Sequence, residues 1–193
     1  MAGILDGVTQ QLDGASLQKV SNALGTDNAT TSNAVNTALP LLLAALAKNS
    51  ASPDGANALA GALDRDHDGS ALNNVSSLLD GAQGGMGQKI LGHILGGRQG
   101  NITQSLGAST GLDSGKAATL LAMLAPMVLA YLGRAKREQG LDAGGLGSVL
   151  GSERDGMAAR GGSLGGLMSM LDRDNDGSVV DDVGGMVGKM FGR

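Results

Sequence analysis

Three features of the chain predict an all-α, multihelical fold that is internally duplicated. Apolar residues recur at spacings of three and four, and no segment alternates apolar and polar positions with the β-branched and aromatic enrichment of a strand. The 193 residues are 41% hydrophobic yet include one Phe, one Tyr and no Trp, so the core must come from Leu, Ala, Val, Ile and nine Met. Such a thin filling suits closely spaced helices. Sliding the sequence by 86 residues superposes its two halves: Ile4 and Leu5 fall on Ile90 and Leu91, Gln18 on Gln104, Gly25 on Gly111, Asp27 on Asp113 and Pro40 on Pro126.

Taken in order, the first copy holds a short helix over 17–24, and Ile102 to Leu106 is its weaker counterpart. Asp27 and Asp113, each two residues after a Gly, are placed to cap long helices that run to about Lys48 and Arg137. Pro40 and Pro126 lie inside these helices and remove a backbone hydrogen bond, so each is expected to be kinked or split there. In "QKILGHILGG" the residues Ile90, Leu91, Ile94 and Leu95 share one face of a further short helix. The uncharged run from Ala117 to Gly133 is just short of a membrane span and contains a Pro, which predicts a buried helix. Basic residues concentrate once, in "GRAKREQG", where the helix dipole accounts for them.

Glycine is abundant, 34 of 193 residues, and ten of these fall between Gly140 and Gly166. The expected organisation is a duplicated helical domain over 1–137, a loose Gly-rich linker over 138–166 and a C-terminal helix-loop-helix over 167–193. A net charge of −4, an isoelectric point near 5.0 and the shortage of stacking aromatics argue against a nucleic-acid partner. Cysteine is absent, so bound metal is the natural staple. The start "MAGILDGVTQQLDG" lacks a basic region followed by an apolar one, which points to the cytoplasm, with non-classical export as the alternative.

The chemistry concentrates in one repeated phrase, "LDRDHDGS" from Leu63 and "LDRDNDGS" from Leu171, separated by 108 residues rather than 86. Carboxylates at loop positions one, three and five followed by Gly reproduce the first half of a calcium loop, because alternate residues of a tight turn can aim hard oxygens at one centre. The candidate ligands are Asp64, Asp66, Asp68, Ser70 and Asn74 in the first loop (64–75). In the second they are Asp172, Asp174, Asp176 and Ser178, with Asp181 or Asp182 closing it. Gly69 and Gly177 suit the φ > 0 turn at position six. Both copies depart from an EF-hand at position twelve, where Val75 and Val183 stand in place of a bidentate Glu. These valines read as core positions in apolar stripes, with Leu72 and Leu79 after the first loop. Leu59 with Leu63, and Leu167 with Leu171, precede the loops. The first loop, closed by amides alone, is expected to bind more weakly.

No other constellation carries chemistry. His67 sits at an outward loop position, His93 reads as a helix-end residue, and no Ser has a partner base. "GGMGQK" lacks the spacing of a phosphate loop.

The duplicated Gly-x-Asp helices, "ALPLLLAALAKN", "SPDGANALAGALDRDHDGS", "ILGHILGG" and "GLDSGKAATLLAMLAPMVLAYLG" together resemble the YidB-like bacterial family, a domain of unknown function. The resemblance covers roughly residues 3 to 135 and leaves the second acidic phrase in a C-terminal extension. It implies a multihelical fold and a bacterial source, and supplies no activity or catalytic residues. The expected function is therefore drawn from the loops: a non-enzymatic protein that binds one or two Ca2+ ions in EF-hand-like acidic loops, which stabilise or dock the C-terminal extension. The alternative is a self-assembling scaffold, a homo-oligomer in which calcium is incidental or bridges subunits. A membrane partner is not expected.

Overall fold

The structure, a computed structural model, describes residues 3–159, and the chain divides into two compact units, Met1–Arg154 and Asp155–Arg193. Among the described residues there are helices and turns and no strand, as the spacing of apolar residues predicts. The first repeat supplies α1 (Ile4–Gln11), α2 (Gly14–Leu24) and α3 (Asn28–Asn49). The second supplies α6 (Gly87–Leu95), α7 (Gln99–Thr110) and α8 (Ser114–Gln139). Between them come α4 (Pro53–Asp66), a 3-10 turn over Ser70–Asn74, α5 (Val75–Gly81) and a π-turn over Ala82–Met86.

The 86-residue repeat is visible at the helix starts. Asp27 Oδ1 accepts from the Thr30 N–H and Asp113 Oδ1 from the Lys116 N–H, each at 2.8 Å, so both long helices open on the same cap. Gly25 and Gly111 end the preceding helices at φ of 61° and 76°. The helix expected over 102–106 is longer, because Thr103, Leu106 and Thr110 extend its buried stripe.

Neither interior proline splits its helix. Residues 38 to 47 of α3 and 120 to 130 of α8 are buried without a break, so packing on nearly every side outweighs one lost backbone bond. Helix α8 is the hub. It packs against each of α1 to α7 and buries Leu121, Leu124, Val128 and Leu132 completely. Each such leucine contributes about 2 kcal/mol, which makes this helix the main source of stability. By length and composition α8 could cross a membrane, but 72% of its apolar stretch is buried against the other helices.

The stretch expected to be a loose linker instead contains α9 (Ala143–Ala159). Asp142 caps it by accepting from the Gly145 N–H at 2.7 Å, and Leu146 and Leu150, four apart, are fully buried. A cap and a buried pair offset the helix penalty of glycine, about 1 kcal/mol each. Glu153 in turn caps α1, its Oε1 accepting from the Ile4 N–H at 2.9 Å.

Candidate functional site: an acidic turn held by helix α8

The first acidic phrase straddles the end of α4. Asp64 and Asp66 belong to the helix itself, and two residues apart at 3.6 residues per turn they project about 200° from one another. Gly69 makes the left-handed turn that the loop pattern requires, at φ 88°. Asp68 folds back on that turn, where its Oδ1 accepts from the Ser70 N–H at 2.9 Å and the Ser70 hydroxyl at 2.6 Å. Those two bonds, the hydroxyl first, and then Arg137 hold the Asp68 carboxyl below the ordinary carboxylate range. Asn74 is used elsewhere, since its side chain accepts from the Ser77 N–H at 3.0 Å and caps α5.

The structure thus does not gather Asp64, Asp66, Asp68, Ser70 and Asn74 around a common centre. Among the described residues no three His, Asp or Glu side chains are grouped so as to hold a metal ion. The physical reason is the extra half turn of α4: a loop that starts at Asp64 needs non-helical backbone there, and the helix continues to Asp66. Val75, expected in the core, is half-buried, while Leu72 and Leu79 are buried as expected. Asp172, Asp174, Asp176, Ser178, Asp181 and Asp182 lie outside the described residues, as does the expected 167–193 helix-loop-helix.

What does meet the first phrase is the last part of α8. Lys136 Nζ lies 2.6 Å from Asp64 Oδ1, and Arg137 Nη1 lies 3.4 Å from Asp68 Oδ2. Arg134 donates to Asn73 Oδ1 at 3.2 Å and to the Gly69 carbonyl at 3.5 Å. Lys136 and Arg137 of "GRAKREQG" therefore serve as counter-ions to the acidic turn, beyond any effect on the dipole of their own helix, and Arg134 holds the turn through neutral acceptors. The clue in the sequence is charge complementarity between two segments 70 residues apart, which helical periodicity alone does not reveal.

Close backbone approach completes the site. Gly133 sits against the His67 carbonyl, where a Cβ would lie 1.7 Å from the oxygen, and a Cβ on Gly69 would lie 2.7 Å from that of Arg134. His67 is half-buried by this packing, which lowers its pKa, with Asp66 opposing. On the far side, Lys19 of α2 bonds Asp80 Oδ2 at 2.6 Å and the Ser76 hydroxyl at 2.7 Å, and so fixes α5. The turn is therefore anchored before and after by side chains of the helical body.

In comparison with known families, residues 6–135 match a family described as "Bacterial protein of unknown function (DUF937)". No curated protein and no solved structure matches the chain.

Proposed function

The chain belongs to the DUF937 family of bacterial proteins, and on that premise, which brings no activity with it, we propose a non-enzymatic calcium-binding protein whose ion is held by the second acidic phrase. The observation that carries this reading is the contrast between the two phrases. The first is followed by the amides Asn73 and Asn74 and is neutralised by Lys136 and Arg137. The second repeats Asp172, Asp174 and Asp176 and adds Asp181 and Asp182, five carboxylates whose mutual repulsion a divalent cation would relieve. Calcium suits such a set better than magnesium, because it accepts six to eight protein oxygens and magnesium retains its waters. Binding free energy at this phrase would appear as stability of the C-terminal segment.

The test is a calcium titration by calorimetry on chelator-stripped protein, with Asp174→Ala and Asp66→Ala beside it. One site is expected, lost in Asp174→Ala and kept in Asp66→Ala. Absence of heat up to millimolar calcium would discard the reading and leave the self-assembling scaffold, which concentration-dependent size in light scattering would then have to support.

A further inference from the structure

Two residues that their helical patterns assign to the core do not reach it. Leu59 of α4 and Ile90 of α6 are half-exposed, whereas their neighbours Leu63, Leu91 and Ile94 are buried. Both line a cleft of about 620 Å³ whose floor is Leu46 of α3 and Leu129 of α8. Helix α4 carries two apolar stripes as a result. Ala56, Ala60 and Leu63 pack inward, and Ala58, Leu59 and Ala62 face the cleft. The volume falls in the range of small-molecule sites, which are lined by apolar side chains with a few polar groups at defined places.

Most of those polar groups sit toward the ends, and His93 of α6 lines the cleft beside Ile94. The cleft stripe of α4 runs from Gly55 to Asp66, about 16 Å at 1.5 Å per residue; Asp66 and His67 occupy its C-terminal end, and the Arg65 guanidinium folds back along the helix, its Nη1 3.8 Å from where a Cβ on Gly61 would lie. Arg65 has no ion-pair partner among the described residues. Asp66 lies beside it, so a doubly charged head such as a phosphate monoester would be repelled, while a single carboxylate can take the guanidinium fork. Toward the other end, Asn49 is committed to the Ile94 carbonyl at 2.7 Å and closes the floor.

We propose that this cleft binds an aliphatic carboxylate of medium chain length, its tail along Leu59, Ala62 and Ile90 and its carboxylate on Arg65. The site is separate from the calcium reading, and the experiment is run in chelator so that neither outcome depends on it. Decanoate is titrated by calorimetry into the full chain, with decanamide as the uncharged analogue. One decanoate per chain is expected, with about tenfold weaker binding of decanamide and of decanoate to Arg65→Gln, and no binding to Ala62→Phe, which fills the cleft. Should Ala62→Phe fail to fold by circular dichroism, Ile90→Phe blocks the cleft from the opposite wall. The proposal is overturned by the absence of saturable binding, by equal binding of decanamide, or by undiminished binding to the folded cleft-filling variant.

Discussion

Helices α3 and α8 are two versions of one element, and they differ most where they end. Both open on an Asp cap, pass through a buried proline and pack along the centre of the first unit. Near the end, Ala47 and Lys48 of the first copy correspond to Gly133 and Arg134 of the second, and α8 then continues through Lys136 and Arg137 to Gln139. That added turn reaches the acidic phrase at the end of α4. The duplication builds the core, and a few residues of asymmetry at one helix end create the site.

The most severe way to break the comparison is to give α8 the residue of α3. Gly133→Ala places a methyl group against the His67 carbonyl and forces α4 and α8 apart, at about 2 to 3 kcal/mol. The reciprocal change Ala47→Gly adds the glycine penalty of a helix interior, about 1 kcal/mol, and the loss of a buried methyl, about 0.8 kcal/mol, and is expected to stay below the cost of Gly133→Ala. Urea denaturation of both variants decides the matter, and equal losses would mean that the close approach contributes nothing.

The caps come next, and they test sameness rather than difference. Asp113→Ala is expected to cost about 1 kcal/mol by thermal unfolding. Asp27 differs from it in one respect, since the Thr30 hydroxyl also donates to its carboxylate, at 2.7 Å. The Thr30 backbone N–H first and this hydroxyl second lower the Asp27 pKa from the ordinary 3.8. A carboxylate whose folded pKa is depressed stabilises the fold above its unfolded pKa, and that stability is lost as pH falls through the folded value. Asp27→Ala should therefore flatten the stability curve below about pH 4. An acid limb unchanged from the parent would show that the cap is not formed in solution.

The frame of the molecule could be read in advance because it rests on local rules. Gly-x-Asp before an apolar run specifies a stop and a start, and the 86-residue shift carries that signal from Asp27 to Asp113. Helix α9 was hidden because its glycines dominate the composition, while the two residues that hold it, Leu146 and Leu150, are few. The acidic phrase leaves one point open, the end of its helix. "DRDHDG" satisfies a loop pattern, but nothing in it says whether α4 stops at Leu63 or Asp66, and three residues decide whether the carboxylates converge. The partnership of Lys136 with Asp64 depends on two helices meeting in space. The cleft was equally out of reach, because the position of α4 relative to α6 decides that Leu59 and Ile90 stay half-exposed.

The smallest expected effect is the most informative about the acidic turn. Asp64 is 57% exposed in its pair with Lys136, so Lys136→Met should change stability by less than about 1 kcal/mol, and less still in high salt. Its value lies in separating two reasons why the carboxylates of the first phrase do not converge. One is competition from the α8 cations, which Lys136→Met with Arg137→Gln removes. The other is the helical backbone at Asp64 and Asp66, which that pair of substitutions leaves in place. Calcium titration of the double variant is expected to show no site beyond that of the parent protein, because separating two carboxylates by about 200° around a helix is a geometric obstacle that neutral neighbours do not lift. A new site that Asp66→Ala then abolishes would reverse the order of causes: the cations on α8 would be what keeps α4 wound to Asp66.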